Sequence, residues 1–97
     1  MPHRLIDRIR EKIRLREYDM TVHAMEEMAE DDLDILDVEE AVLAGRVVRT
    51  DRRGPQGTKY IVQGLALDHE TFVGIVGRFT STNRFLIITV YEIHEEH

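Results

Sequence analysis

The stretch DVEEAVLAGRVVRT, residues 37–50, changes its period halfway along. Up to Gly45 the apolar positions Val38, Ala41 and Val42 fall three and four residues apart, the spacing of one helix face. Asp37 reads as the N-cap, Glu40 three positions on as its capping-box partner, and Gly45 as a C′ residue that accepts positive φ. Beyond Gly45 the period is two. The expectation is helices before residue 45 and β-structure after it.

Upstream, Leu5, Ile6, Ile9 and Ile13 define a first helix over about residues 3–16, with arginines on its other faces. Thr21 can cap a second helix over 22–30. At about 100° per residue, Val22, Ala24, Met25, Met28 and Ala29 share one side, while His23, Glu26, Glu27 and Glu30 share the other. The apolar side, together with Ile35 and Leu36 of the third helix, is expected to be buried. Asp31, Asp32 and Asp34 break the second helix because their side chains compete for backbone hydrogen bonds.

Downstream, RVVRT, TKYIVQGLAL, TFVGIVGRF and RFLIITVYEI are rich in β-branched and aromatic residues. The separators DRRGPQG, DHE and TSTN are too short for parallel crossovers, so the strands should form antiparallel hairpins in sequence order. Alternation places Phe85, Ile87, Thr89, Tyr91 and Ile93 on one face of the last strand and Leu86, Ile88 and Val90 on the other. Gly74 and Gly77 mark a bulge or a close approach. The expected fold is α+β, N-terminal helices on one face of a four-stranded antiparallel sheet, in a single domain spanning 1–97.

The composition suits such a fold. The chain has 97 residues, 42% of them hydrophobic and 33% charged, enough for one core. It has no cysteine, which excludes disulfides, thiolate zinc sites and a cysteine nucleophile. No apolar run reaches the roughly 20 residues of a membrane helix, and no secretory leader opens the chain, so a cytoplasmic protein without membrane contact is expected.

The net charge of −6 conceals blocks of opposite sign. Residues 1–16 are rich in arginine; residues 19–40 carry ten carboxylates and no lysine or arginine; Arg46 to Lys59 are basic again. A basic face could therefore grip a phosphate backbone locally despite the acidic mean. The loop DRRGPQGT could carry Arg52 and Arg53 as a phosphate-contacting flap, or be a plain solvated loop.

Chemical motifs are few. No glycine fingerprint cradles a nucleotide, and Ser81, the one serine, lies in a hairpin turn without a nucleophile elbow. His23 and Glu27 stand at i, i+4, but the helix lacks the second histidine of a metalloprotease, and His69, His94 and His97 are poor complements, so neither metal nor cofactor is expected. General acid-base chemistry is the more economical use of His23, set against a surface histidine paired with glutamate. Arg84 and Arg78 could supply a cation against a phosphate, and Tyr91 or Thr89 a hydroxyl.

The run YDMTVHAMEEMAEDDLDILDVEEAVLAGRVV, with FLIITVYE at the end, resembles the domain of unknown function numbered 4258, over roughly residues 13–92. The resemblance implies a RelE-like, barnase-like ribonuclease fold and suggests a toxin of a toxin-antitoxin pair that cuts RNA without a metal. It maps the family histidine to His23, its methionine to Met28, the closing-strand threonine and tyrosine to Thr89 and Tyr91, and an arginine to Arg84. One departure stands out: Glu27 occupies a position where the family has arginine, and DDLD replaces the usual arginine-glycine turn. The expected activity is accordingly a weakened or lost endoribonuclease, with an antitoxin-like partner, self-association or RNA as partners. The alternative is a non-catalytic protein-binding or oligomeric module.

Overall fold

The computed structural model describes residues 4–94. Three helices, α1 (Leu5–Arg14), α2 (Val22–Glu30) and α3 (Ile35–Ala44), lie on one face of a five-stranded sheet. The strands are β1 (Tyr18–Met20), β2 (Arg46–Asp51), β3 (Lys59–Leu65), β4 (Phe72–Phe79) and β5 (Phe85–Ile93), in spatial order β1-β5-β4-β3-β2. Strands β2 to β5 form the antiparallel meander that the short separators imply. The sheet is mixed, not purely antiparallel, because β1 joins β5 in parallel. Only three residues long and set between two helices, β1 leaves no periodic trace in the sequence.

The helix boundaries follow from their caps. Thr21 accepts the Ala24 N–H at 3.1 Å and starts α2. α3 starts earlier than expected: Asp34 is its N-cap and Asp37 the reciprocal partner, each carboxylate accepting the other's backbone N–H. The Asp37–Glu40 box expected from the sequence is not the one used, and Leu33, just before the Asp34 cap, packs against the core. Gly45 ends α3 at φ −92°, not in the left-handed region. Its need for glycine is steric, since a Cβ there would sit 2.3 Å from the Ala41 carbonyl oxygen and 2.4 Å from that of Gln63.

α1 and α2 close on residues that are not glycine. Arg16 (φ 58°) and Asp32 (φ 56°) take the left-handed conformation, and Glu17 and Leu33 then donate back to Lys12 and Met28. These closures satisfy the last carbonyls without the usual glycine signal.

The core joins the helices to the near face of the sheet. Ile9, Ile13, Ala24, Met28, Val38, Ala41 and Val42 meet Val62, Val73, Ile75, Phe85, Ile87 and Val90, and each fully buried large side chain contributes about 1.5–3 kcal/mol. Phe79 stands edge-on to Tyr60 and Phe85, at centroid distances of 6.0 and 5.3 Å, and Arg8 lies 4.6 Å above its ring. Arg10 donates to the Gly45 carbonyl at 2.8 Å, placing a cation at the C-terminal end of α3. Much of the basic block of α1 thus serves the fold.

Burial departs from the wheel of α2 and the start of α3. Ala24 and Met28 are buried, but Val22 and Met25 are 66% and 50% exposed, and Ile35 and Leu36 are 38% and 50% exposed. The first turn of α3 and the flank of α2 that carries Val22, Met25 and Ala29 are exposed and lie outside the core.

Two bulges re-sort the sheet faces. At β4–β5 the register passes from Gly77↔Ile87 to Val76↔Thr89, leaving Ile88 as the extra residue. Phe85, Ile87 and Val90 therefore face the helices, while Thr89, Tyr91 and Ile93 turn to the open face with Leu86. The simple alternation expected for this strand fails at Ile88. A second extra residue, Val48, sits between Val47↔Val62 and Arg49↔Ile61.

Gly77 gives space to the core, where a Cβ would meet the Phe85 ring at 2.5 Å, and Gly64 lets α3 approach, where it would meet the Ala41 carbonyl oxygen at 2.0 Å. Gly64→Ala should lower the unfolding free energy by about 2 kcal/mol or more, because the obstacle is backbone that cannot rotate away. Urea denaturation of the two proteins checks this, and an unchanged midpoint refutes it.

Candidate functional site

The site is built where β5 loses its strand neighbour. β1 covers β5 only from Phe85 to Ile87, and the backbone beyond needs other partners. Side chains and backbone leading into and along α2 supply them. The Thr21 N–H donates to the Ile87 carbonyl at 3.0 Å, and the Thr21 hydroxyl donates to the Ile88 carbonyl at 2.8 Å. Past the bulge, the Val90 N–H donates to Glu27 Oε1 at 3.2 Å and the Glu92 N–H to Asp31 Oδ2 at 3.1 Å. Thr21, Glu27 and Asp31 thereby continue the ladder that β1 begins.

His23 belongs to this arrangement. Its side chain is 66% exposed, and its Nε2 lies 3.2 Å from Glu27 Oε1, the oxygen that also accepts the Val90 N–H. The imidazole is therefore tied, through one carboxylate, to the residue between Thr89 and Tyr91. Glu27, the position at which arginine is expected, is a hydrogen-bond acceptor for β5.

The open face of the sheet carries the rest. Cross-strand pairing sets Arg46, Gln63, Gly74 and Tyr91 in one row, and Arg49, Ile61, Val76 and Thr89 in the next. The Tyr91 ring lies over Gly74, where a Cβ would come within 2.2 Å of Cζ and 2.5 Å of Cε2 and Oη. Arg78, paired with Leu86, shares this face, as does Lys59, paired with Asp51.

Its carboxylates already have cationic partners: Asp51 pairs with Arg53 at 3.2 Å and Asp19 with Arg84 at 2.7 Å. Both carboxyls are held below the ordinary value of 3.8, in each case chiefly by the arginine's hydrogen bond. The face is thus positive on a chain of net charge −6, whose carboxylates concentrate on α2, α3 and their connection.

The expected site residues divide accordingly. Thr89, Tyr91 and Arg78 share the open face, with His23 joined to their edge through Glu27. Arg78 is half-buried, and its Nε has no hydrogen-bond partner among the described residues. Arg84 is engaged elsewhere: Nε and Nη2 hold both oxygens of Asp19, and Nη2 also donates to the Tyr18 carbonyl at 3.1 Å, fastening β1 to β5. Arg53 is drawn to Asp51, and Arg52 lies exposed in the β2–β3 connection.

His69 lies in the β3–β4 turn, His94 is 3.6 Å from Glu92, and His97 is outside the described residues. Among the described residues no three such groups gather as a metal site. A groove of about 420 Å³ lined by Asp7, Glu11, Arg14 and Leu15 contains none of the expected residues. Arg46, Arg49 and Lys59 were read in the sequence only as part of a basic block, without a shared face, and Gln63 was not foreseen. Arg46 and Arg49, three apart, alternate onto opposite faces until the extra residue Val48 is known.

This architecture defines an α+β protein with a helix-covered sheet face and an open, basic one. Residues 20–92 match the model of the family described as Domain of unknown function (DUF4258), and the chain belongs to that family. No curated protein and no solved structure matches it. Among the described residues no helix is long and apolar enough to cross a membrane.

Glu27→Ala should cost about 1–3 kcal/mol by leaving the Val90 N–H without its acceptor, whereas Glu27→Gln should cost less. Hydrogen exchange at Val90 and thermal melts check this, and equal melts for both variants would refute the anchor.

The Asp19–Arg84 pair sets an acid limit. Because the Asp19 carboxyl is depressed in the folded state, its contribution is complete above about pH 5 and disappears as pH falls through the depressed value. The melting gap between the native protein and Arg84→Met should narrow from pH 6 to pH 2. A gap of constant size would contradict it.

Proposed function

We propose that the protein is a slow, metal-independent endoribonuclease of the toxin type, with the RelE-like, barnase-like fold that its sequence resembles. The observation that carries this reading is the tie from His23 through Glu27 to Val90, which joins an exposed imidazole to the edge of the strand that carries Thr89 and Tyr91 on the open sheet face. His23 takes the proton of an RNA 2′-hydroxyl as its oxygen attacks the adjacent phosphorus. The bond from phosphorus to the 5′-oxygen breaks, that oxygen takes a proton from water, and a 2′,3′-cyclic phosphate remains.

Arg78 offsets the charge that builds on the phosphate, and the Thr89 hydroxyl donates to it. Arg84, already neutralised by Asp19, is assigned to the fold. The Glu27 carboxylate orients His23 but repels phosphate, which accounts for a slow reaction. The protein acts in the cytoplasm, and residues 1–97 form one domain.

A second reading, a non-catalytic protein-binding or oligomeric module, draws on Val22 and Met25, apolar and exposed on α2 beside Glu26. An antitoxin-like partner or a second copy would cover them.

Incubation of the purified protein with single-stranded RNA in excess chelator tests the first reading. Cleavage should persist, leave cyclic-phosphate ends and fall by about 10²-fold or more in His23→Ala. RNA that stays intact, or cleavage indifferent to His23→Ala, overturns it. Under the second reading Met25→Asp abolishes a protein complex while RNA stays whole.

A further inference from the structure

We propose that the open sheet face is a platform for single-stranded RNA, on which one base stacks against Tyr91 while neighbouring phosphates lie on Arg46, Arg49 and Arg78. The proposal deepens the reading that RNA is the substrate, but none of its residues is His23, so binding and cleavage are separable.

Glycine at position 74 permits the key geometry. Since a side chain there would collide with Cζ, Cε2 and Oη of Tyr91, the ring lies across β4 and does not stand off the sheet. Tyr91 is only half-buried, so the remainder of the ring is open to solvent. Stacking on an aromatic ring is indifferent to base identity, because every base has a π-face.

Beside Gly74 the Gln63 amide offers a donor and an acceptor to a base edge, and beyond it comes the Arg46 guanidinium. With strands about 4.8 Å apart, the row from β2 to β5 spans about 14 Å. It therefore presents a ring, an amide and a cation in a line long enough for more than one nucleotide.

Charge selects the occupant. Arg46, Arg49, Lys59 and Arg78 outnumber Asp51 and Asp19 on this face, and those two carboxylates are engaged by Arg53 and Arg84. The carboxylates concentrate on α2, α3 and their connection, so those surfaces turn a polyanion away. Duplex RNA hides its bases within a narrow groove and would use the cations while leaving Tyr91 idle. A single strand uses both.

The test is fluorescence anisotropy with labelled eight-nucleotide oligoadenylate, performed in His23→Ala so that the probe survives. Tyr91→Ala should weaken binding about five- to hundredfold, and Tyr91→Phe should stay within about threefold, because the ring and not the hydroxyl is used. Replacing both Arg46 and Arg49 by alanine should reduce the slope of log affinity against log salt by about 1.4. An abasic oligomer of equal charge should bind weakly, as should duplex RNA.

Thermal melts confirm that each variant is folded. Unchanged affinity in Tyr91→Ala, equal binding of the abasic oligomer, or no binding of oligoadenylate overturns the platform. Binding that follows this pattern while the native protein leaves RNA intact would retain the platform and remove the nuclease. Cleavage that depends on His23 but oligoadenylate binding indifferent to Tyr91 would do the reverse.

Discussion

The structure depends on how the backbone of β5 is satisfied along the edge that β1 leaves bare. A strand with Phe85, Ile87 and Val90 in the core cannot fray without exposing that core, yet its neighbour is only three residues long. Unpaired N–H groups at such an edge would also invite another chain. Thr21, Glu27 and Asp31 close it, two of them with carboxylates that accept backbone N–H groups at Val90 and Glu92. Helix α2 acts as the missing length of strand, and this fixes its position over the sheet.

The bulge at Ile88 makes that solution work. By adding one residue it changes which N–H groups point outward, from Phe85, bonded to the Glu17 carbonyl, to Val90 and Glu92. The same half-step turns Thr89 and Tyr91 away from the core. One local irregularity thus places the α2 carboxylates on the edge and the two side chains on the open face. Fold and site are coupled at Ile88, and charge follows the same division, with α1 arginines used for Asp7, Gly45 and Phe79 while β2 to β4 keep their cations outward.

The sequence reveals what depends on period and separator length. The helices, the meander and the boundary at Gly45 follow from apolar spacing and from connections too short for crossovers. Features set by tertiary contacts were hidden. β1 exists because Asp19 is gripped by Arg84, 65 positions away, and because the Tyr18 hydroxyl donates to the Glu39 carboxylate. Burial and that hydrogen bond raise the Tyr18 phenol above its ordinary value, so it stays a donor well into the alkaline range. The bulge at Val48 has no glycine to mark it, and the one at Ile88 is marked only on the neighbouring strand, where the register shifts beside Gly77; each reverses the facing of every residue beyond it. Arg46 and Arg49 could not be joined, nor Ile87 separated from Thr89, by alternation alone.

Glu27 shows why a departure from a motif must be read with its partners. Beside a histidine, a carboxylate in place of a cation implies weakened phosphate chemistry when only the helix is considered. In the fold it has a second duty, because the oxygen facing His23 also accepts the Val90 N–H. An arginine there could offer no acceptor to that N–H, so the edge would need water or another residue. The carboxylate therefore strengthens the frame that holds the imidazole while reducing its attraction for anions. The cations that compensate stand on the strands, where Gln63 and Tyr91 can give the bound chain a direction that charge alone cannot.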